Sequence, residues 1–195
     1  MTTGGARLRD RVAPGLRVLF VGINPGLRSA ALDHHFAGRS NRFWKLLSDA
    51  RLVPEPVTYE DDDRLPAWGC GITNLVARPT AGLSDLSADE LRRGRRALVA
   101  KVRRLRPAAV ALVGVTVYRA LFPSSAGRSR GGARRDVLGP APETLAGVPV
   151  FVLPNPSGRN AHYSYAEMLA AFTALGRSLS RAQLKMKNGK AKNEG

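Results

Sequence analysis

Short apolar runs recur along the chain, and each is followed by a stretch containing polar or glycine residues. Residues 17–22, 71–76, 108–113 and 148–153 are dominated by Val, Leu, Ile, Phe and Ala. Apolar runs of this length, bounded by Gly, Pro or Asn, are typical of buried strands. We therefore expect four strands in the interior of a sheet.

Stretches with helical periodicity separate these strands. The predicted helices begin near Ser40 or Asn41, and span residues 87–106, 115–121 and 163–177. The second of them opens with a capping box, in which Ser87 accepts from the third backbone N–H and Glu90 reaches back. Buried strands that alternate with amphipathic helices predict an α/β fold, a three-layer α/β/α sandwich with a short, mostly parallel central sheet.

Three segments differ in composition from the predicted domain. Residues 1–13 are expected to be a flexible N-terminal lead-in, and residues 123–143, rich in Gly, Ser, Arg and Pro, a long exposed loop. Residues 179–195 are basic and of low complexity, which predicts a disordered tail. Residues 14–178 remain as one domain.

The charge of the chain predicts a polyanionic partner. There are 31 Lys and Arg residues against 15 Asp and Glu, a net charge of +16. This excess identifies no enzyme, because architectural and ribosomal proteins share it. No segment approaches the roughly 18 apolar residues of a membrane span, and the first residues lack the apolar run of a signal peptide. We expect a monomer with no membrane partner.

The cysteine and histidine content argues against metal chemistry. Cys70 is the only cysteine, so an intramolecular disulfide, a four-cysteine iron–sulfur cluster and a zinc ribbon are excluded. The adjacent His34 and His35 lack a third ligand and so do not predict a metal site. We expect no cofactor and a reducing, cytoplasmic location, associated with the nucleoid in a prokaryote.

Two of the four predicted strands end in unusual polar loops. The first strand continues into Gly-Ile-Asn-Pro-Gly at 22–26, and the fourth into Asn-Pro-Ser-Gly-Arg-Asn at 155–160. Ligands of parallel sheets bind beyond the carboxyl ends of the strands. We therefore expect both loops to meet at one edge of the sheet and to form a site there.

The motifs in and around these loops resemble a known family. GINPGL at 22–27 is followed by HHFA at 34–37, NRFW at 41–44, CGITNLVARPT at 70–80 and NPSG at 155–158. In this order they resemble the mismatch-specific uracil/thymine-DNA glycosylases of the uracil-DNA glycosylase superfamily, over roughly residues 14–178. The resemblance implies a monofunctional glycosylase that hydrolyses the N-glycosidic bond of uracil and related damaged bases in mismatched double-stranded DNA, in base-excision repair.

The resemblance also implies roles for the first motifs. Asn24 positions the attacking water and Phe36 stacks on the flipped base, while main-chain groups near Ile23 and Phe36 read the uracil edge. Gly26, Ser29 and Asn74 complete the base pocket. Phe36 taken alone is more often a core residue, as is expected here of the helical Phe43 and Trp44.

The second motif is expected to contact DNA. The family places a wedge here that fills the gap left by the flipped base, and Arg159 stands where Leu is common. A guanidinium can stack in that gap and pair with the orphaned guanine. Ser157 and Gly158 are expected to contact phosphates through their amides, with Asn160 beside them. His34 is expected to contact DNA, with a structural hydrogen bond as the alternative.

Asp89 is a second catalytic candidate. Glu90 completes the capping box, which leaves the Asp89 carboxylate free to stabilise positive charge on the sugar. The alternative is that this acid complements the N-terminus of its helix.

Two other functions remain open from the sequence. A non-catalytic, basic nucleic-acid-binding protein explains the charge, but it does not explain two polar motifs at one sheet edge. A nucleotide-binding α/β enzyme is disfavoured, because the chain lacks a P-loop and GINPG lacks the spacing of GxGxxG.

Overall fold

The computed structural model describes residues 7–123, 137–158 and 160–191. A five-stranded sheet in the order β2-β1-β3-β5-β4 forms its centre. The strands are β1 (Val18–Gly22), β2 (Cys70–Asn74), β3 (Val110–Val113), β4 (Gly139–Leu145) and β5 (Val148–Leu153). β2, β1, β3 and β5 run parallel, and β4 is antiparallel to β5.

β4 corrects the expectation that residues 123–143 are one exposed loop. Residues 139–143 belong to this edge strand, in which Pro140 and Pro142 are exposed. Proline cannot donate to a ladder and is confined to sheet edges, where it also discourages pairing with a second chain. The composition that indicated a loop is thus also compatible with an edge strand.

Helices lie on both faces of the sheet. They are α1 (Leu27–Leu32), α2 (Phe43–Asp49), α3 (Ala88–Leu105), α4 (Val115–Leu121) and α5 (Tyr165–Ala191), with 3₁₀ turns at Tyr59–Trp68 and Leu83–Asp85. The capping box of α3 forms as predicted, with Ser87 and Glu90 bonded reciprocally. α1 was not expected, because it lies in what the sequence presents as a polar loop. Among the described residues, no helix is both long and apolar enough to cross a membrane.

Two buried clusters confirm the three-layer arrangement. Val18 and Phe20 of β1 pack with α2 and α5 on one face of the sheet. Leu19 and Val21 of the same strand pack with α3 and α4 on the other face. Alternation of side chains along one strand thus supplies both cores.

Both ends of the domain extend further than expected. Leu8 is buried, and Arg11 exchanges main-chain hydrogen bonds with Ile72 of β2, so part of the segment predicted as a flexible lead-in packs against the sheet. At the other end α5 continues to Ala191 and buries Leu179, in the segment whose composition predicts disorder. The segment after residue 177 is rich in good helix formers, which lets the helix extend beyond the core.

Candidate functional site

A cavity of about 500 Å³ opens where the parallel strands end. Asn24 from the loop after β1, Asn74 at the end of β2 and Asn155 from the loop after β5 line its wall. The predicted meeting of the two polar loops at one edge of the sheet is confirmed.

The Asn24 amide is held in one orientation at this wall. Its Nδ2 donates to Thr80 Oγ1 at 2.7 Å and to the Pro25 carbonyl at 3.1 Å. The Thr80 hydroxyl gives its own hydrogen to the Gly82 carbonyl at 2.6 Å, so towards Asn24 its oxygen accepts. Within the part of the chain that the structure describes, Asn24 Oδ1 has no hydrogen-bond partner. An oriented acceptor is therefore available to a ligand.

The loop that carries Asn24 is bonded to the segment that follows β2. Val76 N–H donates to the Ile23 carbonyl at 2.9 Å, and Thr80 N–H donates to the Pro25 carbonyl at 3.1 Å. The Ile23 carbonyl is therefore engaged within the chain, although the sequence suggested that main-chain groups near it read the base. Gly26 is exposed at the rim of the cavity.

Phe36 presents an aromatic ring to the cavity. The ring stacks on the buried Phe43, with centroids 4.2 Å apart and planes 27° apart. Phe36 has φ of 52°, a left-handed conformation that side chains rarely adopt. Ser29 holds this turn, because its buried Oγ accepts from Ala37 N–H at 3.1 Å. Phe43 thus supports the Phe36 ring, and Ser29 supports the loop behind it.

The Asn74 amide lies directly beside Gly22, its partner in the β1–β2 register. A Cβ added at Gly22 would lie 2.6 Å from Asn74 Oδ1, so a larger residue here would displace the Asn74 amide, while its distance of 3.5 Å to Phe36 Cζ would be an ordinary contact. On its other side the amide nitrogen of Asn74 lies 3.5 Å from His35 Nδ1. The side chains of Asn74, Phe36 and His35 therefore lie close together beside Gly22, and all four residues line the cavity.

A buried carboxylate anchors the two histidines. Asp62 is fully buried and accepts from Arg11 Nε at 2.8 Å, from His34 Nδ1 at 3.1 Å and from the His35 N–H at 2.8 Å. Burial lowers the pKa of Arg11, but its hydrogen bonds and charge interactions with Asp62 and Asp33 together outweigh this effect and raise the pKa overall. Trp44 Nε1 also donates to the His35 carbonyl at 3.1 Å.

His34 therefore makes the structural hydrogen bond that was the alternative to a DNA contact. It does not line the cavity. Phe43 and Trp44 lie in the core, as expected.

A sequence profile described as the uracil DNA glycosylase superfamily matches residues 10–176. The chain belongs to the uracil DNA glycosylase superfamily. Its fold is also similar to that of a candidate uracil DNA glycosylase from Methanosarcina acetivorans, known from a solution NMR structure. The TM-score is 0.58 at 17% sequence identity, and the similarity covers 88% of this chain and 98% of that one.

The second motif of this superfamily member packs directly on the loop after Phe36. Arg42 N–H donates to the Pro156 carbonyl at 3.0 Å. A Cβ added at Gly158 would collide with the Ser40 side chain, so only glycine permits this close approach. Ser157 lines the cavity, and its N–H donates to Asn155 Oδ1 at 3.0 Å. That N–H is therefore engaged within the chain, although a phosphate contact was expected for it.

Asn160 and Arg159 were the remaining residues expected in this loop. Asn160 Nδ2 donates to the Asn155 carbonyl at 2.7 Å, and its Oδ1 accepts from the His162 N–H at 3.1 Å, so its side chain shapes the loop. Arg159 lies outside the described residues.

Asp89 is not brought together with Asn24. It is exposed in the first turn of α3, the position from which the alternative interpretation has it complement the helix N-terminus, and it forms an ion pair with Arg92 on the same helix. No carboxylate of the described residues lines the cavity. The same part of the chain contains no group of three His, Cys, Asp or Glu residues that could hold a metal ion.

Sequence reasoning missed three residues that shape the site. Thr80 closes the motif segment 70–80, but its bond to Asn24 arises only because β1 and β2 are neighbours. His35 was considered only as a metal ligand. Asp62 belongs to a run of four acids, residues 60–63, which indicates a solvated surface, and no signal in the sequence singled it out.

Proposed function

We propose that this chain is a monofunctional glycosylase that hydrolyses the N-glycosidic bond of uracil, and of related damaged bases, in mismatched double-stranded DNA. The observation that carries the proposal is the fixed Asn24 amide, which lines one cavity together with the Phe36 ring and the Asn74 amide. The Asn24 amide suits a water molecule, the Phe36 ring suits the face of an extruded base, and the Asn74 amide suits the hydrogen-bonding edge of that base.

The base enters the cavity after it has been flipped out of the stack. A volume of about 500 Å³ falls in the range of roughly 300–1,000 Å³ that is usual for small-molecule sites. Phe36 supports the flipped ring by stacking, which contributes about 1–3 kcal/mol per base in other proteins. Asn74 offers one donor and one acceptor to the edge of the base.

Asn24 orients the water that attacks the sugar carbon. Its Oδ1 accepts a hydrogen bond from the water, while Nδ2 stays on Thr80. An amide is too weak a base to remove the proton, so its contribution is orientation, which lowers the entropy cost of the attack. The bond from the sugar carbon to the base breaks, positive charge develops on the sugar and the base departs as an anion. The oxygen of the water then bonds to the sugar carbon, and the proton that it loses passes to the departed base or to solvent.

Because no carboxylate of the described residues lines the cavity, we expect the site to release only some nucleobases. With no cavity carboxylate of the described residues to stabilise the sugar cation, the rate depends more strongly on how readily the base leaves. Uracil leaves as a resonance-stabilised anion, whereas undamaged adenine and cytosine are poorer leaving groups. We therefore expect activity on uracil and on bases of similar leaving ability.

Duplex DNA is held by charge and by the second motif. The net charge of +16 supports attraction to phosphates. Gly158 fixes the loop against Ser40 at the cavity mouth, immediately before Arg159. We propose that Arg159 fills the gap left by the flipped base and pairs with the opposing guanine.

Release of free base tests this function. Duplexes with uracil opposite guanine, uracil opposite adenine, thymine opposite guanine and ethenocytosine opposite guanine are incubated with excess protein, and released base is measured by chromatography. Faster release from uracil opposite guanine than opposite adenine is expected. Tight binding without release from any duplex would identify a non-catalytic binder instead.

A further inference from the structure

The buried ring of His35 has a hydrogen-bonding pattern that fixes its protonation. His35 is 1% exposed, and its Nε2 lies 2.8 Å from the Arg9 carbonyl oxygen. A carbonyl can only accept, so Nε2 carries the proton. Burial lowers the pKa of the ring, which opposes a second proton even though Asp62 and Asp10 lie near it. Nδ1 is therefore a bare acceptor.

That acceptor faces the Asn74 amide. Nδ1 lies 3.5 Å from Asn74 Nδ2, which places the nitrogen of the amide towards His35 and the oxygen over Gly22. If the amide were flipped, its oxygen would face the lone pair of Nδ1, and both groups would be acceptors. The Arg9 carbonyl thus fixes the tautomer of His35, and His35 fixes the orientation of the Asn74 amide, with its nitrogen towards the ring and its oxygen towards Gly22.

The orientation of this amide matters because uracil and cytosine present opposite patterns. Uracil offers an acceptor at O4 and a donor at N3, whereas cytosine offers a donor at N4 and an acceptor at N3. A primary amide presents its oxygen and one N–H hydrogen along the same edge, while its second N–H hydrogen points away. An amide that rotates freely could pair with either base, and an amide held in one orientation could not.

We propose that His35 is a positioning residue that sets the preference for uracil over cytosine by fixing the Asn74 amide. The proposal rests on the proposed function, because it assumes that Asn74 reads the flipped base. His35 Nδ1 accepts a hydrogen bond from one N–H of Asn74. The other N–H and Oδ1 of Asn74 remain on the edge of the amide that faces the cavity.

Matched variants separate this role from a structural one. His35→Phe keeps a ring but removes both the acceptor and the donor, while His35→Asn keeps an acceptor close to the position of Nδ1. His34→Phe is the control, since His34 bonds the same buried Asp62 but lies outside the cavity. The measured quantity is the ratio of Kd values for two duplexes. They carry an uncleavable 2′-fluoroarabino uridine or cytidine, each opposite an abasic site so that base pairing contributes to neither.

The preference for uracil is expected to fall about three- to tenfold in His35→Phe, the range expected from one hydrogen bond, and largely to return in His35→Asn. His34→Phe should keep the wild-type ratio. In an Asn74→Ala background, His35→Phe should have no further effect on the ratio, because the two residues act through one contact. An unchanged ratio in His35→Phe, or an equal loss in the Asn74→Ala background, would overturn the proposal.

A measurement on the unaltered protein keeps the proposal testable if His35→Phe does not fold. Nitrogen-15 NMR of the histidine rings should show His35 protonated at Nε2 and bare at Nδ1, and protonation at Nδ1 would overturn the proposal. If wild-type protein releases no uracil, the proposed function fails. If it releases uracil while His35→Phe keeps the ratio, only the role of His35 fails.

Discussion

Replacing Thr80 with Val tests whether orientation of the Asn24 amide controls the rate. The change keeps the branched shape but removes the oxygen that accepts from Asn24 Nδ2 at 2.7 Å. Only the longer bond, 3.1 Å to the Pro25 carbonyl, then holds the amide. A typical net hydrogen bond contributes about 0.5–1.5 kcal/mol, so the bias towards the productive orientation should fall by about three- to tenfold.

The assay is single-turnover release of uracil from a duplex with uracil opposite guanine, at saturating protein. Thr80→Val should lower this rate by about three- to tenfold, and Thr80→Ser, which keeps the hydroxyl, should stay near wild type. Binding to abasic duplex should not change, because the contact positions water and does not hold DNA. A wild-type rate in Thr80→Val, or an equal loss in Thr80→Ser, would refute the reasoning.

Three further changes probe the base platform, the wedge and the tail. Phe36→Ala should weaken binding of duplex with an uncleavable uracil by about tenfold or more, since stacking is lost; titration measures this, and unchanged affinity would contradict the platform. Arg159→Ala should slow release from uracil opposite guanine far more than from single strands, because only duplex leaves a gap; a uniform defect that disappears at low salt would instead indicate a phosphate contact. Removing residues 180–195, which carry five Lys and Arg residues, should flatten the salt dependence of binding while release continues, and an identical salt slope would exclude a DNA contact by this segment.

The sequence predicted the buried parts of the fold better than its edges. β1, β3 and β5 are apolar runs in the middle of the sheet, where burial on both faces imposes a strong pattern. β2 lies at one edge of the sheet but is also largely buried, and Arg11 covers that edge through its main-chain bonds to Ile72. β4 was missed because an edge strand is half exposed and tolerates Pro140 and Pro142. The extension of α5 was missed because low-complexity basic composition was taken for disorder.

The site divides in a similar way. Asn24, Phe36 and Asn74 stand in recognisable motifs, and the structure brings them to one cavity. The groups that orient them are distant in sequence: Thr80 lies 56 residues from Asn24, and Asp62 lies 27 residues from His35. Such partners depend on how β1 pairs with β2 and how the loops pack, and composition does not contain that information.

Comparing free-base release by Asn24→Ala and by wild type tests the central claim most directly. Single-turnover release of uracil opposite guanine is measured for wild type and Asn24→Ala, alongside the affinity of each for abasic duplex. Loss of a preorganised polar contact at a reacting centre typically costs about 10²–10³-fold in rate. We predict a loss of at least that size in Asn24→Ala with abasic binding largely intact. Release at the wild-type rate by Asn24→Ala, or no release by wild type, would contradict the account.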